Sequence, residues 1–65
     1  MNIGIIEEKR KQKRITVTEL CESVGIERTT YYRLLKYPDS MKISTWYKIV
    51  SFLGLTQLER KQSLE

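Results

Sequence analysis

The chain has 65 residues, of which 40% are hydrophobic and 31% are charged, and its formal net charge is +4. A chain of this length forms one domain, residues 1–65, near the lower limit for a single unaided hydrophobic core. No apolar stretch approaches the ~20 residues of a transmembrane helix, and no signal peptide is recognisable. These features predict a cytoplasmic protein that makes no membrane contact.

The chain contains one cysteine, Cys21, and no histidine. A lone cysteine cannot close a disulfide within the chain, which favours a reducing compartment. Without histidine there is no credible zinc site and no nucleophile–base pair built on His. We therefore predict no catalytic residues, no metal, no cofactor, no small-molecule ligand and no enzymatic activity. Cys21 itself is expected to be a small core residue and not a redox switch.

Positive charge is concentrated between positions 9 and 48, where ten Lys and Arg residues occur with only four acidic residues. Such a charge balance suits a polyanion, because each neutralised phosphate releases condensed counterions. The run KRKQKR at residues 9–14 fits either a nucleic-acid tract or a solvated helix face. Charge alone does not separate these two interpretations.

Residues 2–13 predict a first helix, in which Ile3 and Ile6 lie one turn apart. Arg14 ends this helix without a glycine, which costs free energy if its backbone is left-handed. The charged residues of the helix are expected to be solvated. They are Glu7, Glu8, Lys9, Arg10, Lys11 and Lys13.

Thr16 and Glu19 form the T-x-x-E pattern of a capping box, which marks the start of a second helix. Gly25 ends this helix, because glycine is the residue that best tolerates a left-handed C-terminal position. Ile26, in the turn, is expected to fill the core. The apolar stripe of the helix has the spacing i, i+3, i+4, i+7. It consists of Val17, Leu20, Cys21 and Val24.

A third helix is predicted from Arg28 to Lys36, and Pro38 with Asp39 ends it. Two faces can be distinguished along this helix. The inward residues are Tyr31, Leu34 and Leu35, and the outward residues are Arg28, Thr29, Tyr32, Arg33 and Lys36.

Residues 37–43 are predicted to form a loop, and Ser44 to be the N-cap of a fourth helix that Gly54 closes. The core stripe of this helix is Trp46, Ile49, Val50 and Leu53.

A second capping box, Thr56 with Glu59, predicts a short fifth helix, with Leu55 and Leu58 packed against the core. No strand-like alternation appears. The predicted fold class is therefore all-α, a compact bundle of about five short helices.

Residues 16–36 have the spacing of a helix-turn-helix. A helix can enter the ~12 Å wide major groove of DNA when a second helix crosses behind it at a steep angle. The close crossing needs a small residue on the supporting helix, and Cys21 has that position. The tight turn needs a glycine and one buried apolar side chain, which Gly25 and Ile26 supply.

The run ITVTELCESVGIERTTYYRLLK at residues 15–36 is similar to the helix-turn-helix of the phage-repressor and Cro-type family, also called XRE-like. The flanking runs IEEKR at residues 6–10 and ISTWYKIVSFLGL at residues 43–55 resemble the same family, so the likeness covers about residues 3–58. The resemblance implies a lambda-repressor-like fold and a transcriptional regulator that binds duplex DNA.

Several positions depart from the family pattern, and three of them change the expected polar contacts. Val17 replaces a Gln that usually touches phosphate, and Glu27 stands where Ser or Thr often caps the recognition helix. Leu35 stands where the family often has a Glu that pairs with the arginine of helix one. Arg10 is therefore left to contact a phosphate or another acid.

By resemblance, the first turns of the third helix contact base edges. The expected base contacts are Arg28, Thr29, Arg33, Tyr32 and Glu27. Arginine suits paired hydrogen bonds to guanine, and Thr can offer a methyl or a hydroxyl group. Phosphate contact or plain solvation is the alternative for the two arginines. The expected phosphate contacts are Arg10, Lys36 and Lys42, with the backbone N–H groups of Val17 and Thr45.

Family members of this size usually dimerise through the end formed by helix four, where Tyr47, Phe52 and Leu55 are predicted to form an exposed apolar patch. The alternative is that the fifth helix covers this patch. The expected function is a bacterial, phage or mobile-element regulator, nucleoid-associated when bound, that represses by binding a pseudo-palindromic operator as a homodimer. A protein-interaction module on the same scaffold, an antirepressor or regulator partner without DNA binding, remains the alternative.

Overall fold

The computed structural model describes all 65 residues, and short turns connect its five α-helices. The helices are α1 (Ile3–Gln12), α2 (Val17–Val24), α3 (Arg28–Lys36), α4 (Ile43–Leu53) and α5 (Gln57–Leu64). No strand is present, which confirms the predicted all-α class, and α2 and α3 form the helix-turn-helix. None of the helices combines the length and the apolar character needed to span a bilayer.

Two capping boxes fix the starts of α2 and α5, as predicted. The hydroxyl of Thr16 accepts the N–H of Glu19 at 3.1 Å, and the Glu19 carboxylate accepts the N–H of Thr16 at 3.2 Å. Thr56 and Glu59 exchange the same two hydrogen bonds at 3.2 and 2.9 Å. Each box satisfies two N–H groups that a helix start otherwise leaves without partners.

Three residues adopt a left-handed backbone: Gly25, Gly54 and Arg14, with φ of 76°, 69° and 55°. The two glycines close α2 and α4, as predicted. Arg14 follows α1, where the N–H of Ile15 donates to the carbonyl of Arg10 at 3.1 Å, a Schellman closure. Arg14 has this conformation without the steric freedom of glycine, so the junction between α1 and α2 carries backbone strain.

A single hydrophobic core lies between the helices, and α1, α2, α3 and α4 all contribute to it. It contains Ile6, Leu20, Cys21, Val24, Tyr31, Leu34, Met41, Trp46, Ile49, Val50, Leu53 and Leu55. The predicted residues Ile26 and Leu35 are half-buried and pack against this core. Ser63 is the buried residue of α5, and its hydroxyl accepts a hydrogen bond from the indole N–H of Trp46 at 2.8 Å.

The connection between α3 and α4 differs from the predicted open loop. Pro38–Ser40 forms a 3₁₀ turn, and Met41, which the sequence did not place in the core, is buried. Ser44 is not the N-cap of α4, because the helix begins two residues before the predicted start with Lys42 in the N-cap position. The buried Met41 anchors the chain just ahead of the helix, and the N–H of Trp46 already bonds to the carbonyl of Lys42 at 2.9 Å.

Polar contacts attach α5 to α1. The ammonium of Lys9 pairs with the carboxylate of Glu59 at 2.8 Å, so the expectation that Lys9 is simply solvated is wrong. The prediction that Leu58 packs against the core is also wrong, because its side chain is 65% exposed. Glu59 and Ser63 lie one turn apart on the face of α5 that contacts the rest of the molecule. With the helix rotated in this way, the side chain of Leu58 faces solvent.

Candidate nucleic-acid interface

Helix α3 has one buried face and one exposed face. Tyr31 and Leu34 are buried in the core, which fixes the rotation of the helix about its axis. The opposite face carries all the predicted base contacts, and each of them is exposed. They are Glu27, at the N-cap, and Arg28, Thr29, Tyr32 and Arg33.

A shallow cleft lies between α2 and the first turn of α3, and we call it the α2–α3 cleft. It is lined by Thr18, Cys21, Glu22, Ile26, Glu27, Arg28 and Thr29. Glu27 makes no capping hydrogen bond with its side chain, and its carboxylate instead accepts a long hydrogen bond of 3.4 Å from Thr29. The cleft therefore presents a guanidinium donor suited to guanine beside a carboxylate that can accept from cytosine.

A second cleft lies between α3 and the start of α4, and we call it the α3–α4 cleft. It is lined by Thr30, Arg33, Leu34, Ser40, Lys42 and Thr45. The lining contains two cations and no acidic side chain. No side chain caps the N-terminus of α4, so the N–H groups of its first turn, including that of Thr45, point out of the helix without an intrahelical partner. Cations and free N–H groups together suit a phosphate.

The remaining predicted phosphate contacts, Val17 and Lys36, lie outside the two clefts. Val17 is the first residue of α2, and the capping box uses the N–H of Glu19, not that of Val17. The N–H of Val17 is thus left for an external acceptor. Lys36 is exposed in the last turn of α3, where its ammonium lies 5.6 Å from the ring centre of Tyr37.

The structure corrects the predicted phosphate contact of Arg10. Its Nε and Nη2 atoms donate to the two carboxylate oxygens of Glu7 at 2.8 and 2.9 Å, and its Nη1 atom donates to the carbonyl of Ile15 at 2.7 Å. The side chain is only 14% exposed. Of the two partners that the sequence left open for Arg10, the structure provides an acid from its own helix.

Glu7 joins this pair to the recognition helix. The hydroxyl of Tyr31 donates to Oε1 of Glu7 at 2.5 Å, and we call the set Tyr31, Glu7, Arg10 and Ile15 the Tyr31 network. The Arg10 guanidinium holds the pKa of Glu7 below its ordinary value, with help from the Tyr31 hydroxyl and against partial burial. Burial, and then the bond to Glu7, raises the pKa of Tyr31 well above its ordinary value.

Nothing in the sequence indicates that Tyr31 and Glu7 meet. Glu7 was expected to be solvated, and 24 residues separate it from Tyr31. The spacing i, i+3 could have suggested the pair Glu7 with Arg10. In the α3–α4 cleft, Thr30 could likewise have been found, because it lies one turn before Arg33 on the same helix face.

Cys21 is buried in the core, as predicted. Burial raises the pKa of its thiol, and nearby Arg28 acts weakly in the opposite direction. The thiol therefore stays protonated and packs as a small apolar group. No three His, Cys, Asp or Glu side chains come close enough together to hold a metal ion.

Two aromatic rings of α4 face outward, and we call Tyr47 and Phe52 the α4 aromatic face. Their side chains are 58% and 40% exposed. The prediction that Leu55 belongs to this patch is wrong, because Leu55 is only 4% exposed. The Schellman closure at Gly54 explains this, since it directs Leu55 back onto Val50 in the core, and the N–H of Leu55 bonds to the Val50 carbonyl at 3.0 Å.

Helix α5 leaves the α4 aromatic face open. The guanidinium of Arg60 lies 5.7 Å from the ring centre of Tyr47, yet Tyr47 remains 58% exposed. Both rings border a shallow depression shared with the C-terminal end of α2, which includes Val24 and Gly25.

A family model described as Helix-turn-helix matches residues 6–60. The matched range begins in α1, ends within α5 and contains both clefts. A search of curated proteins and a search of solved structures each gave no match.

Proposed function

The chain belongs to the XRE family of helix-turn-helix proteins, which are DNA-binding regulators, and we propose that it binds duplex DNA sequence-specifically with α3 in the major groove. The observation that carries this proposal is the two-faced character of α3. Its buried face fixes the helix in the fold, while its exposed face carries donors and acceptors that match base edges.

In the proposed complex, Arg28 and Thr29 of the α2–α3 cleft read bases, and Glu27 adds a carboxylate acceptor. Arg33 projects from the next turn of α3 and reads a further base, at the border of the α3–α4 cleft. Tyr32 packs beside these contacts on the same exposed face. Arginine pairs best with the O6 and N7 atoms of guanine, so we propose a recognition sequence rich in G·C pairs at these positions.

Phosphates on either side of the recognition helix complete the proposed interface. Lys42 and the N–H of Thr45 bind one phosphate at the α3–α4 cleft, because this cleft combines positive charge with a helix N-terminus. Lys36 and the N–H of Val17 bind others. These contacts position the helix and carry no sequence information themselves.

We further propose that two copies associate through the α4 aromatic face and bind a pseudo-palindromic operator with half-site centres ~10 bp apart. A symmetric contact uses the same patch on both copies, and Tyr47 and Phe52 supply exposed apolar area for it. By its likeness to phage repressors, the protein would act in the bacterial cytoplasm as a repressor for a phage, plasmid or mobile element.

The proposed reading of bases is tested by Arg28→Ala. A preferred duplex is first selected from a randomised pool with the unaltered chain, and affinities are then measured by fluorescence anisotropy. We expect the variant to lose ~1–3 kcal/mol on the selected duplex and to relax one base preference.

The matched control is Lys61→Ala, which removes the same charge from the exposed last turn of α5. On random duplex both variants should weaken binding to the same small extent. Equal losses by Arg28→Ala on selected and random duplex would show that Arg28 contacts phosphate only.

A further inference from the structure

We propose that Tyr31 is a positioning residue for DNA binding, whose hydroxyl holds α3 in place through the Tyr31 network. This inference rests on the proposed function, because it concerns how the recognition helix is held. Tyr31 does not touch DNA in this scheme. It acts through Glu7 and Arg10.

Tyr31 lies within the part of α3 that carries the proposed base contacts. Its side chain is fully buried, and it lies three residues after Arg28 and two before Arg33. Its hydroxyl makes the one side-chain hydrogen bond that joins α3 to α1, to Glu7 at 2.5 Å. A rotation or a slide of α3 would stretch this bond, so the bond fixes the segment that carries the proposed base contacts.

Arg10 connects the other end of the Tyr31 network to the start of α2. Arg10 is held by both carboxylate oxygens of Glu7, and its Nη1 atom donates to the carbonyl of Ile15 at 2.7 Å. Ile15 directly precedes Thr16, the N-cap of α2. The same set of bonds therefore reaches the start of α2, where the N–H of Val17 is proposed to bind phosphate.

Neither Leu35 nor the junction at Arg14 replaces the Tyr31 network in holding α3 against α1. Leu35 is half-buried and apolar, and it offers Arg10 no hydrogen bond. Since α3 contains no acidic residue, no carboxylate of α3 can reach α1. Arg14 has a left-handed backbone between α1 and α2, and the bond from Arg10 to Ile15 restrains the chain just beyond it. Glu7 bonds both Arg10 in α1 and Tyr31 in α3, and it is the junction of the network.

The test compares Tyr31→Phe with Tyr37→Phe. Both changes delete one hydroxyl, but the side chain of Tyr37 is exposed and its hydroxyl makes no hydrogen bond. We expect Tyr31→Phe to weaken binding to the selected duplex about tenfold, because α3 is then no longer held in place before binding, and DNA binding must supply the free energy of ordering it. Binding to random duplex should change less than twofold, and Tyr37→Phe should change neither.

A double-variant comparison shows whether the hydroxyl acts through Glu7. With Glu7→Gln as the second change, the double variant should lose no more affinity for the selected duplex than the more affected single variant. If the loss of affinity in the double variant equals the product of the two single losses, the hydroxyl acts independently of Glu7. That result would overturn the proposal.

Amide hydrogen exchange without DNA gives an independent readout. Tyr31→Phe should lower protection of the α3 amides more than that of the α4 amides. A uniform loss of protection, or equal weakening on both duplexes, would show a purely global effect on stability and would overturn the positioning role. If the unaltered chain bound neither duplex, the proposed function would fail first, and the positioning role with it.

Discussion

Glu7 shows how one carboxylate connects three parts of the chain. It bonds Arg10 within α1 and Tyr31 in α3, and through Arg10 it reaches Ile15 before α2. Its side chain is 18% exposed, so water screens these bonds only in part. Because each bond favours the ionised carboxylate, the pKa of Glu7 lies below its ordinary value of 4.5 in the folded chain.

This lowered pKa predicts a loss of stability in acid. At pH 7, well above 4.5, the carboxylate is ionised in both the folded and unfolded states, and its bonds stabilise the folded state in full. As the pH falls through 4.5 toward the lower folded pKa, the unfolded chain binds the proton first, so the free energy of unfolding decreases. We expect Glu7→Gln to lower the free energy of unfolding at pH 7 by about 1–3 kcal/mol. It should also reduce the decrease of this free energy at acidic pH, which we call the acid limb.

Urea unfolding between pH 7 and pH 3 measures this effect. The matched control is Glu8→Gln, because Glu8 is exposed and accepts only a 3.5 Å hydrogen bond from Gln12. The control should show the same acid limb as the unaltered chain. Glu59 also contributes to this limb, because Lys9 lowers its pKa. An acid limb that Glu7→Gln leaves unchanged would contradict the role assigned to the carboxylate.

Single-residue features were predictable from the sequence only where the partners are close along the chain. Glu7 and Arg10 lie within one helical turn, but Tyr31 reaches Glu7 only after α2 and the turn have folded. For Leu55 the sequence predicted both packing against the core and a place in the exposed patch, and the closure at Gly54 directs it into the core.

At the level of elements, helix ends were predicted well where local chemistry determines them. The two capping boxes and the glycines at positions 25 and 54 are such cases, since they act over three or four residues. The start of α4 was not predicted, because the burial of Met41, a tertiary event, places the helix start ahead of Ser44.

Two substitutions with opposite expected effects on the free energy of unfolding test the left-handed backbone at Arg14 and at Gly25. We expect Arg14→Gly to stabilise the fold by about 0.5–1 kcal/mol, because glycine adopts a φ of 55° without strain. Gly25→Ala should destabilise it by about 1–2 kcal/mol, from the backbone alone, because an added Cβ would meet nothing within 4 Å. Urea unfolding at neutral pH measures both.

A neutral or destabilising effect of Arg14→Gly would mean that the arginine side chain makes a contribution larger than the strain at its backbone. A Gly25→Ala variant as stable as the unaltered chain would mean that the turn between α2 and α3 can rearrange.

At the level of the whole molecule, two exposed surfaces are proposed to bind partners. The first is the face of α3 with its two clefts, and the second is the α4 aromatic face. The sequence located the residues of the first surface because an amphipathic helix next to a recognisable turn defines its own outer side. It could not group Arg33 with Lys42 and Thr45 into one cleft, because that grouping depends on how α4 meets α3.

The proposed dimer predicts different effects on full and half operators. Phe52→Glu should weaken binding to a full inverted repeat at least tenfold, because it places a charge in the proposed contact, and should leave binding to a half-site unchanged. The matched control is Leu64→Glu, since Leu64 has similar exposure, 46% against 40%, at the far end of α5. Parallel losses on both duplexes, or none, would argue against association through this face.

Sequence-specific binding of duplex DNA is the function proposed for this chain. The most direct test is a salt titration, from 50 to 200 mM, of binding to the selected duplex and to a scrambled duplex of the same composition. We predict that affinity for both falls steeply with salt, as expected for phosphate contacts, and that the selected duplex binds ~10³-fold tighter or more. Equal affinity for the two duplexes would contradict base reading, and no binding at 50 mM salt would point to a protein-interaction module instead.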